Sequence, residues 1–221
     1  VVKPGVTKVR EDLAALLPRA AVVAVDRTTG TDDELRTADV LVGTEAVLHR
    51  ATARADRSRP GLVAFLEFDQ ELLAPRARAA EQALWLLVRA ARLVGSRADG
   101  GEVLVQTRLP DHEVVRAAAG SDPLLVTEAE AARRRVLGHP PFGGLAELAG
   151  DAAAVGAACD ALRDLTVAAR GVSVLGPVDD GRRALLRAPT VGALCDALGL
   201  PAVDAARTIG RLRIDVDPRR A

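Results

Sequence analysis

Apolar positions at helical spacing over residues 6–17 (VTKVREDLAALL) predict an amphipathic helix, which Pro18 stops. Residues 21–25 read as a short buried strand, 28–33 as a turn, and 39–44 (DVLVGT) as a second strand running into a glycine turn. The stretch 50–60 carries four arginines and little that packs, so it is expected to be a solvated loop. Residues 61–68 are apolar on both faces, as a strand covered on two sides requires. Pro75 is expected to open a long helix reaching about Arg97, with an apolar stripe of Ala80, Leu84, Leu87, Val88 and Ala91. Arg76, Gln82 and Arg89 fall off that stripe. Residues 102–107 (EVLVQT) are a fourth strand, and Asp111 is the expected cap of a helix beginning near His112. Helices alternating with short apolar strands predict an α/β layer with a mainly parallel sheet.

The pattern changes after Ala119. Residues 120–123 form a loop, a helix follows through Glu128 to Val136, and 138–142 (GHPPF) breaks it. Then come strand 144–149, helix 151–169, strand 172–175, strand 183–188, helix 190–198 and strand 211–216. The last strand alternates cleanly, with Leu212, Ile214 and Val216 opposite Arg211, Arg213, Asp215 and Asp217. The order β-α-β-β-α-β is the split βαβ plan of ferredoxin-like folds. The expected organisation is therefore an α/β domain over 1–119, a connecting helix and Pro-rich turn over 120–142, and a small α+β domain over 143–221.

Composition narrows the classes. In 221 residues, 49% hydrophobic and 27% charged, thirty basic side chains balance thirty acidic ones, so any affinity for a polyanion must be local. No apolar run reaches the roughly 20 residues of a membrane span. Cys159 and Cys195 cannot build a disulfide framework, which predicts a reducing cytoplasmic setting. The chain starts at Val1 and contains no methionine, which reads as a fragment or a processed product. Lysine occurs only at Lys3 and Lys8, so no phosphate loop ending in Lys-Ser/Thr can form. His49, His112 and His139 are too scattered from the cysteines for a zinc site. Ser58, Ser96, Ser121 and Ser173 lie in no nucleophile elbow, so no catalytic residue is expected. Stacking platforms for bases need exposed rings, and most of Phe65, Phe68, Trp85 and Phe142 are expected to be claimed by apolar neighbours.

Several short stretches, in order, resemble one family. They are DVLVGT at 39–44, PRARAAE at 75–81, GEVLVQT at 101–107, Pro110-Asp111-His112, RRVLGHPPF at 134–142, Val174-Leu175-Gly176-Pro177 and Asp215-Val216-Asp217-Pro218. Together they resemble the second motor lobe and C-terminal domain of the primosomal protein N′ (PriA) family, the bacterial replication-restart helicases. The resemblance implies a RecA-like lobe over 1–119 and the family's C-terminal domain beyond Val126. It also implies that a zinc insertion, the first motor lobe and its nucleotide loop precede Val1. ATP with magnesium and zinc would then be held by segments outside this chain, and no cofactor is expected within it.

The departures from the family carry as much weight. After Gly43-Thr44 the family continues with a Gln and a Lys-Gly-His-Asp-Phe stretch, whereas this chain has Glu45-Ala46-Val47-Leu48-His49-Arg50. The family's motif Gln-Val-Ala-Gly-Arg-Ala-Gly-Arg aligns with 89–96 (RAARLVGS), placing Leu93 and Ser96 at the two arginine positions, with Arg92 next to the first. Arginine fingers accelerate phosphoryl transfer by about 10³–10⁵, so their loss predicts negligible hydrolysis. The loop from Asp26 to Asp39 is also shorter than the family's. Gly43 is expected to serve a tight turn at a strand end, and Arg78 is expected to pair with Glu81 three residues on.

The resulting expectation is a cytoplasmic, nucleoid-associated replication-restart factor that recognises branched DNA and docks other primosome proteins without unwinding. The resemblance supplies fork DNA and the acidic tail of single-stranded-DNA-binding protein as partners, and no membrane. Candidate contacts are Arg133, Arg134 and Arg135; Arg182, Arg183 and Arg187; and Arg211, Arg213, Arg219 and Arg220. For any single arginine, the simpler account is a solvated charge paired with Asp179, Asp180, Asp215 or Asp217. Two alternatives are the C-terminal part of an active ATP-dependent 3′→5′ helicase, and an α/β adaptor with no DNA role.

Overall fold

The computed structural model describes residues 5–25, 32–51, 59–166 and 171–218 of a mixed α/β chain. It divides into two compact units, one of residues 1–72 and 82–121, the other of 73–81 and 122–221.

In the first unit, α1 (Val6–Leu16) ends where the Leu17 N–H donates to the Leu13 carbonyl, just before Pro18. β1 (Val22–Val25) pairs in parallel with β2 (Val40–Gly43), and β3 (Leu62–Phe65) with β4 (Glu102–Val105). These are two separate two-stranded sheets rather than the single layer expected. β3 is not covered on both faces: Leu62 is 53% exposed and Leu104 on its partner strand 47%, while Val63 and Phe65 point inward. An apolar run of that length permits double coverage without requiring it.

Two short helices stand mostly in stretches to which the sequence assigned no element, each overlapping only the margin of the expected turn (28–33) or loop (50–60). They are α2 (Asp32–Thr37) and α3 (Ala46–Arg50); residues 26–31 and 52–58, including Ser58, lie outside the described residues. α4 (Asp69–Leu72) follows β3, with Phe68 buried edge-on to Phe65. The ends of β3 and β4 are tied together there. The Glu67 N–H donates to Gln106 Oε1 (3.1 Å), the Phe68 N–H to the Gln106 carbonyl (3.0 Å), and Thr107 Oγ1 to Asp69.

α5 runs from Ala79 to Val94, so Pro75 precedes the helix instead of opening it. Its buried line is Ala80, Ala83, Leu86, Leu87, Ala90, Leu93 and Val94; the expected Val88 is 44% exposed and Ala91 faces outward. The expected stripe is thus rotated, because alanines on every side leave little hydrophobic contrast to fix its phase. α6 (Glu113–Gly120) is capped by His112, whose Nδ1 accepts the Val114 N–H at 3.2 Å; Asp111 is not the cap.

In the second unit, α7 (Leu124–Leu137) ends at Gly138 in the left-handed conformation (φ 61°), where its N–H closes back on the Arg134 and Arg135 carbonyls. β5 (Gly144–Gly150), α8 (Ala152–Thr166), β6 (Ser173–Val178), β7 (Arg183–Ala188), α9 (Val191–Leu198), α10 (Pro201–Ala206) and β8 (Leu212–Val216) complete it. The helix α10, begun by Pro201 in its first turn, is the one departure from the expected element order. The four strands lie in the order β6-β7-β5-β8, antiparallel throughout, with Ala146 opposite both Leu186 and Val216. That order is the split βαβ plan, with β6 and β8 as edges and a register shift between Leu175 and Val178. One sheet face contributes Ala146, Leu148, Ala184 and Leu186 to a core closed by Val155, Cys159 and Leu162 of α8, Leu194 of α9 and Val203 of α10.

Candidate nucleic-acid interface

Of the motif positions of the first unit, Gly43 and Leu93 are closely packed, while Thr44, Arg92 and Ser96 are exposed. A side chain at Gly43 would place its Cβ 2.1 Å from the Val25 carbonyl oxygen and 2.6 Å from Val47. The glycine is therefore required by close approach of backbones, and not by the tight turn expected from sequence. Thr44 is exposed, and its carbonyl accepts the Val47 N–H at the start of α3. Leu93 is 8% exposed. Ser96 caps a single 3₁₀ turn (Arg97–Asp99): its Oγ accepts the Asp99 N–H (3.2 Å) and donates to Asp99 Oδ2 (2.6 Å). Arg92, beside them, is exposed.

Most of the candidate arginines of the second unit are already engaged. Arg134 is 13% exposed; it meets Glu81 at 2.6 Å and Glu130 at 3.3 Å, and donates to the Pro140 carbonyl. Glu130, the one buried charge among the described residues of this unit, also receives two bonds from Arg133, at 2.5 and 3.0 Å. Arg78 pairs with Asp217 and lies 4.0 Å from Glu81, so the expected Arg78–Glu81 pair is the weaker interaction of each. A continuous chain of charge, Asp217–Arg78–Glu81–Arg134–Glu130–Arg133, thus stitches 73–81, α7 and the end of β8 together. The sequence did carry a signal for part of it: Glu130 stands three and four residues before Arg133 and Arg134, the spacing of helix ion pairs.

Arg183 bridges Glu147 (2.7 Å) and Asp179 (3.1 Å), and its pKa is raised, chiefly by the hydrogen bond to Glu147. Arg187 donates to the Leu137 carbonyl, and Arg213 pairs with Asp215 at 2.7 Å. His139 sits next to this arginine-rich end of α7. Burial, then Arg187 and Arg134, lower its pKa below 6.5, with Glu130 opposing. Arg219 and Arg220 lie outside the described residues.

Three candidates keep an outward guanidinium. Arg135 is exposed, 4.4 Å above the Phe142 ring. Arg182 and Arg211 are exposed, with no side-chain partner among the described residues. Both flank the turn between β5 and α8. The Arg182 carbonyl accepts the Gly150 N–H (3.0 Å), while the Arg211 backbone exchanges bonds with Asp151 (2.8 and 2.9 Å). The sequence separates these two arginines; the antiparallel register brings them to one end of the sheet.

The aromatic expectation is corrected at two residues. Phe68 is buried and Phe65 half-buried, but Phe142 is 38% and Trp85 44% exposed. Trp85 has His49 at 5.5 Å between ring centroids and the Arg89 guanidinium 5.3 Å from its own. No group of three or more metal-ligating side chains occurs among the described residues, and none of their helices is long and apolar enough to cross a membrane.

The architecture is that of a two-unit mixed α/β protein, with exposed guanidinium groups at one end of its four-stranded sheet. No family model matches the chain. It is 30% identical over 148 residues to the replication restart protein PriA of Bacillus subtilis (strain 168), covering 62% of this chain and 18% of that protein. It is 27% identical over 185 residues to the replication restart protein PriA of Thermotoga maritima, covering 79% and 24%. It is 34% identical over 179 residues to the probable replication restart protein PriA of Mycobacterium tuberculosis (strain ATCC 25618 / H37Rv), covering 79% and 26%. These matches support a relationship with the PriA family, and the chain spans about a fifth to a quarter of those relatives' length.

Proposed function

We propose that this chain is the second motor lobe and C-terminal domain of a replication restart protein that holds branched DNA and partner proteins without unwinding. The observation that carries the loss of unwinding is the pair Leu93 and Ser96. At the two positions where the family motif supplies cations, one side chain packs into a core and the other holds a 3₁₀ turn. Neither can stabilise charge on a transferring phosphate. Binding needs no such chemistry. Arg182 and Arg211, bracketing the β5–α8 turn, and Arg135 supply forked donors that suit phosphate oxygens, or the carboxylates of an acidic tail such as that of single-stranded-DNA-binding protein. Arg134 and Arg183, each paired across elements, serve instead as part of the frame of the second unit.

The test uses the full-length protein with fork DNA at several salt concentrations. Log affinity falls linearly with log salt, and replacing Arg182 and Arg211 by Gln lowers the slope by about 0.9 for each phosphate no longer neutralised. ATP turnover stays at background with or without the fork. Fork-stimulated turnover refutes the loss of the motor, and absence of fork binding at low salt refutes the DNA role.

A further inference from the structure

The chain holds two Asp-Gly bonds, Asp99-Gly100 and Asp180-Gly181, and no asparagine. Both aspartates are exposed, but their surroundings differ. At the first, Asp99 Oδ2 accepts the Ser96 hydroxyl (2.6 Å), and the Gly100 N–H donates to the Arg97 carbonyl (3.1 Å). Carboxyl and amide are both held there. The second bond sits in the loop between β6 and β7. The Arg182 N–H donates to the Asp179 carbonyl (3.1 Å), and Asp180 and Gly181 between them have φ 54° and 84°. That is the type I′ pattern, with Asp and Gly at the two central positions where they are preferred. Neither the Asp180 carboxylate nor the Gly181 N–H has a partner among the described residues, although Asp179 is paired with Arg183 and the Arg182 carbonyl accepts the Gly150 N–H.

We propose that Asp180-Gly181 is a site of isoaspartate formation, and through it a substrate for carboxyl methylation by an S-adenosylmethionine-dependent methyltransferase. The Gly181 nitrogen attacks Asp180 Cγ; its proton and the hydroxyl of the protonated carboxyl leave as water, closing a succinimide. Water then opens one of the two C–N bonds of the ring. Opening at Cγ restores aspartate; opening at the original peptide carbonyl leaves the chain running through the side chain, with the α-carboxylate free. That carboxylate takes the methyl group from the sulfonium, and methanol leaves when the ring closes again. Ring closure needs the Asp180–Gly181 peptide to rotate, which is the exchange between types I′ and II′: the aspartate keeps its positive φ and the glycine changes sign. Glycine adopts either sign without penalty, and no hydrogen bond to the Gly181 amide opposes the rotation. At Asp99 the same rotation breaks two hydrogen bonds. Isomerisation adds one main-chain carbon to a tight loop between the paired Val178 and Arg183. It therefore displaces Arg182; the resulting loss of fork binding is the one consequence that rests on the function proposed above.

The full-length protein is aged at neutral pH and cleaved with trypsin, which releases residues 98–108 and 171–182, each with one Asp-Gly bond. Isoaspartate is located by peptide fragmentation and counted by methyl transfer from labelled S-adenosylmethionine. Each rate is divided by that of the matching synthetic peptide, which removes the intrinsic chemistry and leaves the effect of the fold. The ratio is near one at Asp180 and at least about tenfold lower at Asp99, the effect of two hydrogen bonds that must break. Asp180→Glu, whose larger ring closes far more slowly, removes the methylation of residues 171–182. Asp180→Asn, which loses ammonia through the same imide, raises it. Suppression at Asp180 as strong as at Asp99, isoaspartate at Asp179 in place of Asp180, or an Asp180→Asn chain that keeps its amide each overturns the proposal. If a variant does not fold, the two ratios of the parent chain decide alone. Aged protein that carries isoaspartate and binds fork DNA unchanged removes only the role given to Arg182; absence of isoaspartate in protein that binds the fork removes only this site.

Discussion

Replacing Arg134 by Leu tests whether the charge chain of the second unit holds structure or merely decorates it. The side chains of Arg134 and Glu130 are 13% and 10% exposed, so their attraction is little screened and their desolvation already incurred. Removing one member of a buried pair costs about 3–5 kcal/mol when the other is left alone. Glu130 is not left alone, because Arg133 keeps both of its bonds to Oε1, and that pulls the cost down. Glu81, 41% exposed, adds no more than about 1 kcal/mol as a surface pair. The expected loss is therefore about 2–3 kcal/mol, read as the shift in urea midpoint at constant m by circular dichroism. Arg213→Gln, which breaks a pair whose arginine is 69% exposed, shifts stability by less than about 0.5 kcal/mol. A double-mutant cycle between Arg134 and Glu130 gives a coupling of at least about 1 kcal/mol. Equal effects of Arg134→Leu and Arg213→Gln, or a coupling near zero, would refute the reasoning.

Three further outcomes rest on the geometry. Because the folded pKa of His139 lies below 6.5, the unfolded chain takes up that proton first; stability present at neutral pH is lost as pH falls through 6.5 and the folded value. His139→Gln flattens that part of the stability–pH curve, and an unchanged slope would exclude His139 as its source. Leu162→Ala, at a fully buried position of α8, costs about 2–5 kcal/mol in urea unfolding, and a loss below about 1 kcal/mol would show the core there to be loose. Cys195 is exposed, whereas Cys159 is buried with its thiol pKa pushed up by burial. A thiol reagent under native conditions should therefore modify Cys195 quickly and Cys159 only on unfolding, as peptide mapping would show.

The second unit was readable from sequence because strand alternation and helix period switch cleanly there, and each of β5 to β8 has a turn-forming boundary. The first was harder. α2 and α3 are six and five residues long, too short to show a period, and α5 is so rich in alanine that Ala83 and Leu84 compete for the inward phase. His112 displaced Asp111 as cap because an imidazole nitrogen accepts an N–H as a carboxylate does, a possibility that cap preferences rank low. The candidate site suffered most from long-range pairing. Arg78 finds Asp217, and Arg134 finds Glu81, across separations no local spacing rule covers. Arginine clusters in sequence therefore overstated the free positive charge, and exposed Trp85 was missed because composition says nothing about which face a ring occupies.

The outermost strands of the four-stranded sheet carry one more consequence. β6 is interrupted by Pro177 and loses register after Leu175, while β8 sets Arg213 and Asp215 along its length. Proline withholds an amide and ionised side chains resist a dry seam, so neither rim invites another polypeptide to zip on by main-chain pairing. Associations of this unit are thereby steered to side-chain recognition, which can be reversed as quickly as ions exchange, and away from the sticky permanence of an extended sheet.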